Sequence, residues 1–244
     1  MKIKVIACEA LTREIRLASA RSPHVIDIEY LAFGLHNTPD DLRKTIQEKI
    51  DASEGQGYDC IVLGYGLCSR GTANIQARSI PIVIPRAHDC ITFFLGSRAR
   101  YDEEFSTHPG TYYYSPGWIE RKEGDVQQGL IEDVQARAYE DKYREYVEKY
   151  GEDNAKFLIE QEQQWYQHYT RAAFINMDLG DVAAYRKFTQ DLANDRGWEY
   201  SEIQGDVSLL QRLANGDWAD DAFLKIEPGQ KITESFDPKV LKAE

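Results

Sequence analysis

Residues 58–68 read Tyr58-Asp59-Cys60-Ile61-Val62-Leu63-Gly64-Tyr65-Gly66-Leu67-Cys68. The apolar run through Leu63 predicts a strand over Tyr58–Leu63, and the glycines on either side of Tyr65 bend the chain into a loop that presents Cys68. Working back from it, Glu54-Gly55-Gln56-Gly57 breaks a helix that opens at Thr38-Pro39-Asp40-Asp41 and runs to about Ala52. Thr38 suits the N-cap, Pro39 the first helical position, and acids the first turn. Val25–Leu31 alternates as a strand, Leu11–Ala20 reads as a helix and Lys2–Ala7 as a buried strand. Working forward, Ile80–Ile84 is strand-like, Asp89–Leu95 starts a helix, and Tyr112–Tyr114 is a short strand. Strands alternating with helices at this spacing predict an α/β fold with a mostly parallel sheet flanked by helices.

From about Glu120 to Thr170 the chain turns charged and tyrosine-rich. Tyr139, Tyr143, Tyr146 and Tyr150 recur at helical spacing, and a second helix is expected to carry Phe157, Leu158, Trp165 and Tyr169. The βα rhythm then returns: a strand over Ala172–Asn176, a helix over Gly180–Ala193, a strand over Glu199–Ile203, and a helix capped by Asp206 that ends near Asn215-Gly216. Phe223–Ile226 reads as the last short strand. The expected organisation is two βα lobes, 1–118 and 171–244, joined by a helical insertion over 119–170.

The 244 residues are 42% hydrophobic and 29% charged, a globular balance. A net charge of −12 argues against nucleic acid or an anionic membrane surface as partner. The apolar stretch at the N-terminus is too short for a signal peptide or a spanning helix, so a cytoplasmic location is expected. There the four cysteines remain reduced, which suits free, catalytic or metal-bound thiols better than disulfides.

Three of the four stand at strand ends. Cys8 follows the first strand, Cys68 the glycine loop, and Cys90 the segment Pro85-Arg86-Ala87-His88-Asp89. Ligands of parallel α/β sheets bind beyond the carboxyl ends of the strands, so three strands are expected to deliver thiols to one edge. Cys60, inside its strand, reads as an apolar filler. His88 and Cys90 flank a single residue and can approach one ion from a tight turn. Asp89 can cap the helix beginning at Cys90, which favours a thiolate there, and Arg86 would add to that effect if it pointed inward.

Three thiolates with an imidazole match a tetrahedral zinc site, and three with an open position match a catalytic one. An iron–sulfur cluster is the alternative for the same cysteines. The plain structural alternative is that the thiols are small core residues at strand–helix junctions. The expected metal ligands are Cys8, Cys68, Cys90 and His88. The expected acid–base or supporting groups are His88, Asp89 and Glu9, with Gly64, Tyr65, Gly66 and Arg86 approaching a ligand. Arg70, Arg86 and Arg98 near the same edge could receive an anion, and Tyr112, Tyr113, Tyr114 and Trp118 could wall the pocket or pack in the core. The glycines at 64, 66 and 71 miss the dinucleotide spacing, and no phosphate-loop lysine follows. His24, His36, His108 and His168 are scattered, and no nucleophile elbow or paired-histidine zinc motif is present.

Ala7-Cys8-Glu9, Gly64-Tyr65-Gly66-Leu67-Cys68, Pro85-Arg86-Ala87-His88-Asp89-Cys90 and Pro109-Gly110-Thr111-Tyr112-Tyr113 resemble the motifs of a prokaryotic domain-of-unknown-function family. Gly205-Asp206 with Leu209-Leu210, and Ile226-Glu227-Pro228-Gly229, are also similar to it. The family's activity is unsettled. The resemblance implies an association with corrinoid-dependent methyl-transfer systems of anaerobes, hence a corrinoid protein or methyltransferase as partner beside a small-molecule substrate. The leading expectation is a metal-dependent transferase of zinc–thiolate type. The alternative is a non-enzymatic carrier of metal, iron–sulfur cluster or corrinoid, or an accessory protein of a methyltransferase system.

Overall fold

The computed structural model describes residues 1–120, 122–123, 126–127, 143–163 and 168–244. The chain is a mixed α/β protein that packs as two units: Met1–Glu104 with Met177–Leu179 and Gln204–Glu244, and Phe105–Asn176 with Gly180–Ile203.

The first unit is built on β1 (Lys2–Cys8), α1 (Thr12–Ala20), β2 (Val25–Leu31), α2 (Pro39–Ala52), β3 (Cys60–Gly64) and β4 (Ile82–Pro85). Every residue of β3 and β4 is buried, as inner strands covered on both faces require. Proline and two aspartates open α2 as expected, and Leu42, Ile46 and Ile50 recur every four residues to form its fully buried stripe. Each such side chain contributes on the order of 1.5–3 kcal/mol when taken out of water. Thr38 does not cap the helix through its side chain; its hydroxyl donates instead to the Leu35 carbonyl (3.4 Å).

After β4 come α3 (Ile91–Leu95), α4 (Arg98–Thr107), β5 (Thr111–Tyr114), α5 (Pro116–Ile119) and the two-residue strands β6 (Lys122–Glu123) and β7 (Val126–Gln127), which pair antiparallel. Helix α6 occupies 143–150, followed by α7 (Glu152–Gln163), β8 (Arg171–Asn176), α8 (Val182–Arg196), β9 (Glu199–Gln204), α9 (Ser208–Asn215) and β10 (Phe223–Ile226). Tyr139 and Trp165 lie outside the described residues.

The main sheet runs β10-β4-β3-β1-β2. Strands β1 to β4 are mutually parallel, and β10 lies antiparallel on β4. Because β10 completes this sheet, Gln204–Glu244 packs with the N-terminal segment, and the units divide the chain elsewhere than at the expected boundaries 118 and 170. Two further strands follow β10, contrary to expectation: β11 (Ile232–Glu234) and β12 (Leu241–Ala243) form an antiparallel pair. Asp206 does open α9, accepting from the Ser208 amide (2.7 Å). Leu209, Leu210 and Leu213 are buried as α9 packs against α1.

The second unit carries a sheet ordered β5-β8-β9 with β5 and β8 parallel. Tyr114, Ile119, Phe174, Tyr185, Phe188 and Leu192 form its core. Tyr112 and Tyr114, with ring centroids 5.0 Å apart, belong to this packing, and the Trp118 ring stands edge-on to Tyr112 at 6.2 Å. Among the described residues no helix is long and apolar enough to cross a membrane.

Candidate functional site

From β1 the chain moves to β2 on one side of the sheet and then to β3 on the other. At such a reversal the connections after adjacent strands part, and a crevice opens beyond their carboxyl ends. The residues at this edge are Cys8, the last of β1, the loop after β3, and the loop after the neighbouring β4.

The two loops are tied through their main chains. The Leu67 amide donates to the Ala87 carbonyl (2.8 Å) and the Cys68 amide to the His88 carbonyl (2.9 Å). Gly66 permits this approach: a Cβ there would stand 2.6 Å from Ala87 O and 2.9 Å from Asp89 N. Gly64 is required for a different contact, with the Ala7 side chain of β1, 2.5 Å from where its Cβ would be. Past the loop, Cys68, Ser69 and Arg70 all adopt left-handed backbone, with φ of 46°, 55° and 69°. L-residues in that region cost about 1–2 kcal/mol each. Three in succession put the strain directly at a cysteine.

All three strand-end thiols act electrostatically on one group, the hydroxyl of Tyr65. Burial and then the charges of Cys8, Cys68 and Cys90 push its pKa well above the usual phenol range. Tyr65 is 3% exposed, its ring packed in the apolar core with Ile6, Leu31, Leu63 and Leu67, and its hydroxyl has no hydrogen-bond partner. Cys8 and Cys68 pack against the same core. Burial pushes the Cys68 thiol up, partly offset by the Gly66 amide, which hydrogen-bonds the sulfur; Asp89 and Cys8 are close enough to raise it further. Among the described residues, no three His, Cys, Asp or Glu side chains stand in an arrangement that could hold a metal ion.

Asp89 accepts from the Ile91 amide (2.9 Å), capping α3 as the sequence suggested, and its second oxygen accepts from the Tyr101 hydroxyl (3.2 Å). Burial raises its pKa, and those hydrogen bonds and nearby His88 act in the opposite sense. His88 itself is exposed, stacked on the Tyr101 ring at 6.0 Å. Glu9 follows Cys8 and accepts from the Phe33 amide (3.4 Å).

Arg86 departs from its expected role. Its guanidinium is 4% exposed and donates to the carbonyls of Asp220, Phe223, Lys239 and Leu241 and to the Asp220 carboxylate (2.6 Å). Its five hydrogen bonds, two of them shared by the single Nε–H, stitch β4 to β10 and β12, because Phe223 pairs with Pro85 in the sheet and brings those carbonyls alongside. Arg70 pairs with Glu234 at 3.1 Å, and Arg98 lies 4.0 Å from Asp102. Arg70 and Arg98, expected to receive an anion, thus each face an acidic side chain of the chain itself.

Cys60 is 2% exposed and its thiol is pushed up to about 12 by burial, in keeping with a core role. Tyr65, expected with the glycine loop to approach a ligand, is instead buried in the core. Tyr101 has no counterpart in the sequence reading, which does not foresee α4.

No curated protein and no solved structure matches the chain. A family model described as "Protein of unknown function (DUF1638)" matches residues 30–214, which include Tyr65, Cys68, His88 and Cys90 and begin after Cys8. That match spans well over half of the 244 residues, and the chain belongs to this family.

Proposed function

We propose that the chain is a metal-dependent transferase whose ion is held at the β1/β3 crevice by Cys8, Cys68 and Cys90. The observation that supports this reading is that Cys8 ends β1 while main-chain hydrogen bonds tie the loop of Cys68 to the loop of Cys90 beyond the neighbouring strands. Soft sulfur donors favour zinc, and a three-thiol set leaves the fourth position open to substrate, which a sealed structural site would not. Binding must draw the thiols inward from where they stand, by rotation of the cysteine side chains on the tied loops. When bound, zinc would supply Lewis acidity and hold a thiol substrate as its nucleophilic thiolate.

The chain's own groups then have separate tasks. Asp89 fixes the start of α3 and thereby the position of Cys90. His88, exposed beside Tyr101, is placed to exchange a proton with solvent, so we assign it acid–base work in preference to a fourth ligand. None of the four cysteines is joined in a disulfide, and a reducing cytoplasm is the compartment that keeps them so. The methyl group as cargo, and a corrinoid protein or methyltransferase as partner, rest on the family resemblance.

The test is elemental analysis of anaerobically purified protein together with turnover. Wild type should carry about one zinc per chain, lost in Cys90→Ser. With methylcobalamin as donor and a small thiol as acceptor, it should turn over repeatedly. Equal metal content in wild type and in the triple Cys8→Ser, Cys68→Ser, Cys90→Ser variant would overturn the site. Iron with visible absorption would replace zinc by a cluster. Stoichiometric metal without turnover would leave a carrier.

A further inference from the structure

We infer that β2 is a self-association edge: two copies of the chain join their β2 strands antiparallel about Ile28, continuing the main sheet across a two-fold axis.

An edge strand offers a row of main-chain donors and acceptors to any other strand, so stable monomers blunt their edges with proline, a bulge, a short strand or unpaired charge. β2 ends the main sheet, and among the described residues β1 is the strand that pairs with it. It contains no proline or glycine, and its seven residues pair with β1 in unbroken register from Val25 to Leu31. It does carry two acids, but they do not act as a simple negative guard. Glu29 stands between two ammonium groups, Lys4 at 2.8 Å and Lys49 at 2.7 Å, so that cluster is net positive. Asp27 is exposed and accepts from the neutral Tyr58 hydroxyl (2.9 Å), so its spot is negative. Lys2 is held on the Gln56 carbonyl (3.0 Å) and over the Tyr58 ring (4.4 Å).

The order of side chains selects a second copy of this strand as the partner. In either direction, Val25-Ile26-Asp27-Ile28-Glu29-Tyr30-Leu31 gives two apolar residues, an acid, isoleucine, an acid and two apolar residues. Antiparallel pairing about Ile28 uses all seven positions. It sets Val25 opposite Leu31, Ile26 opposite Tyr30, Asp27 opposite Glu29, and Ile28 opposite itself, as a two-fold contact requires. Opposed residues share a face, with Cβ atoms about 4.5–5.5 Å apart. Apolar groups thus meet apolar groups, and β-branched Ile26 meets an aromatic ring. Asp27 of each copy reaches the Lys4–Glu29–Lys49 cluster of the other, negative to positive. Val25, 64% exposed in the single chain, gains a cover. Moving the centre to Asp27 or to Glu29 would set that acid against its own copy, so charge fixes the register at Ile28.

A single strand pair is a small interface, so a reversible dimer with Kd of about 10–100 μM is expected. Sedimentation velocity from about 5 to 200 μM chain reads it directly. Asp27→Lys sets an ammonium against Lys4 and Lys49 of the other copy, and does so twice across the axis; it should weaken the dimer about tenfold or more. Ile28→Lys places two ammonium groups face to face at the centre and should weaken it at least as much. Amide exchange of the peptide spanning residues 25–31 should slow as wild-type concentration rises over the same range. Circular dichroism checks that each variant is folded. Asp27 is exposed, so Asp27→Lys keeps the test decisive if Ile28→Lys does not fold. A wild type that stays monomeric at about 200 μM overturns the inference and leaves the edge to an extended segment of another protein. A dimer that survives in folded Asp27→Lys, or one whose 25–31 amides exchange at the same rate at every concentration, also overturns it, since the contact then lies elsewhere.

Discussion

Adding one methyl group at Gly66 should disconnect the two loops that carry Cys68 and Cys90. In Gly66→Ala the new Cβ would stand 2.6 Å from Ala87 O, where ordinary contact begins at 3.4 Å, so the loops must part by about 0.8 Å. Both obstructing atoms, Ala87 O and Asp89 N, belong to the main chain and cannot rotate away. The Leu67–Ala87 and Cys68–His88 hydrogen bonds, now 2.8 and 2.9 Å, would stretch to about 3.6 Å, beyond useful length. Their loss costs about 1–3 kcal/mol together, and residual overpacking adds about 1 kcal/mol or more. For a chain of this size, about 3 kcal/mol lowers Tm by roughly 6–12 °C. Gly55→Ala is the control. Nothing lies within 4 Å of its Cβ, so it meets only the left-handed backbone penalty at φ 72°, about 1 kcal/mol. Melting followed by circular dichroism gives the stability difference, and titration with cadmium, read by its sulfur charge-transfer absorption, gives the thiol-site affinity. Gly66→Ala should lose at least tenfold in cadmium affinity while Gly55→Ala keeps it. If Gly66→Ala melts within about 1 °C of wild type and binds cadmium equally well, the loops are not held as described.

Three further outcomes are expected. Arg86→Leu should destabilise the fold by about 3 kcal/mol, measured by urea unfolding, because the buried carbonyls of Phe223 and Leu241 lose their donor; a loss below about 1 kcal/mol would remove the stitch between β4, β10 and β12. Asp220 is held down to about 2 by Lys239 and Arg86, so its depressed folded pKa contributes stability present above the unfolded carboxylate range, near 4, and lost as pH falls toward 2. Asp220→Asn should flatten the fall in Tm across that window, and an identical pH profile in both proteins would refute the linkage. Iodoacetamide at pH 8 should leave Cys60 unmodified in the native protein and label it on unfolding, by peptide mapping, since burial keeps it a thiol at about 12. Labelling of Cys60 as fast as Cys90 would contradict its placement in the core.

The local patterns were readable because they follow from side-chain spacing. Val25–Leu31 and the helix from Pro39 to Ala52 stand where alternation, the proline and the acids put them. The edges of β3 and β4 lie one or two residues later than the apolar runs suggested, since pairing with β1 extends β3 through Gly64 opposite Ala7. Asp89 as a cap was legible for the same reason, its acceptor lying two residues from the amide it serves. Arg86 was not, because its partners lie at 220–241, more than a hundred residues away.

Sequence alone determined that strands alternate with helices in a largely parallel sheet, and that three cysteines sit where strands end, because period and punctuation are properties of neighbouring residues. Tertiary structure decided the strand order that places β1 between β2 and β3, the return of the C-terminal segment as β10, and the burial of Tyr65 in the core. Those outcomes depend on which distant strands share hydrogen bonds and which side chains are left buried without a partner, and neither is a function of spacing along the chain.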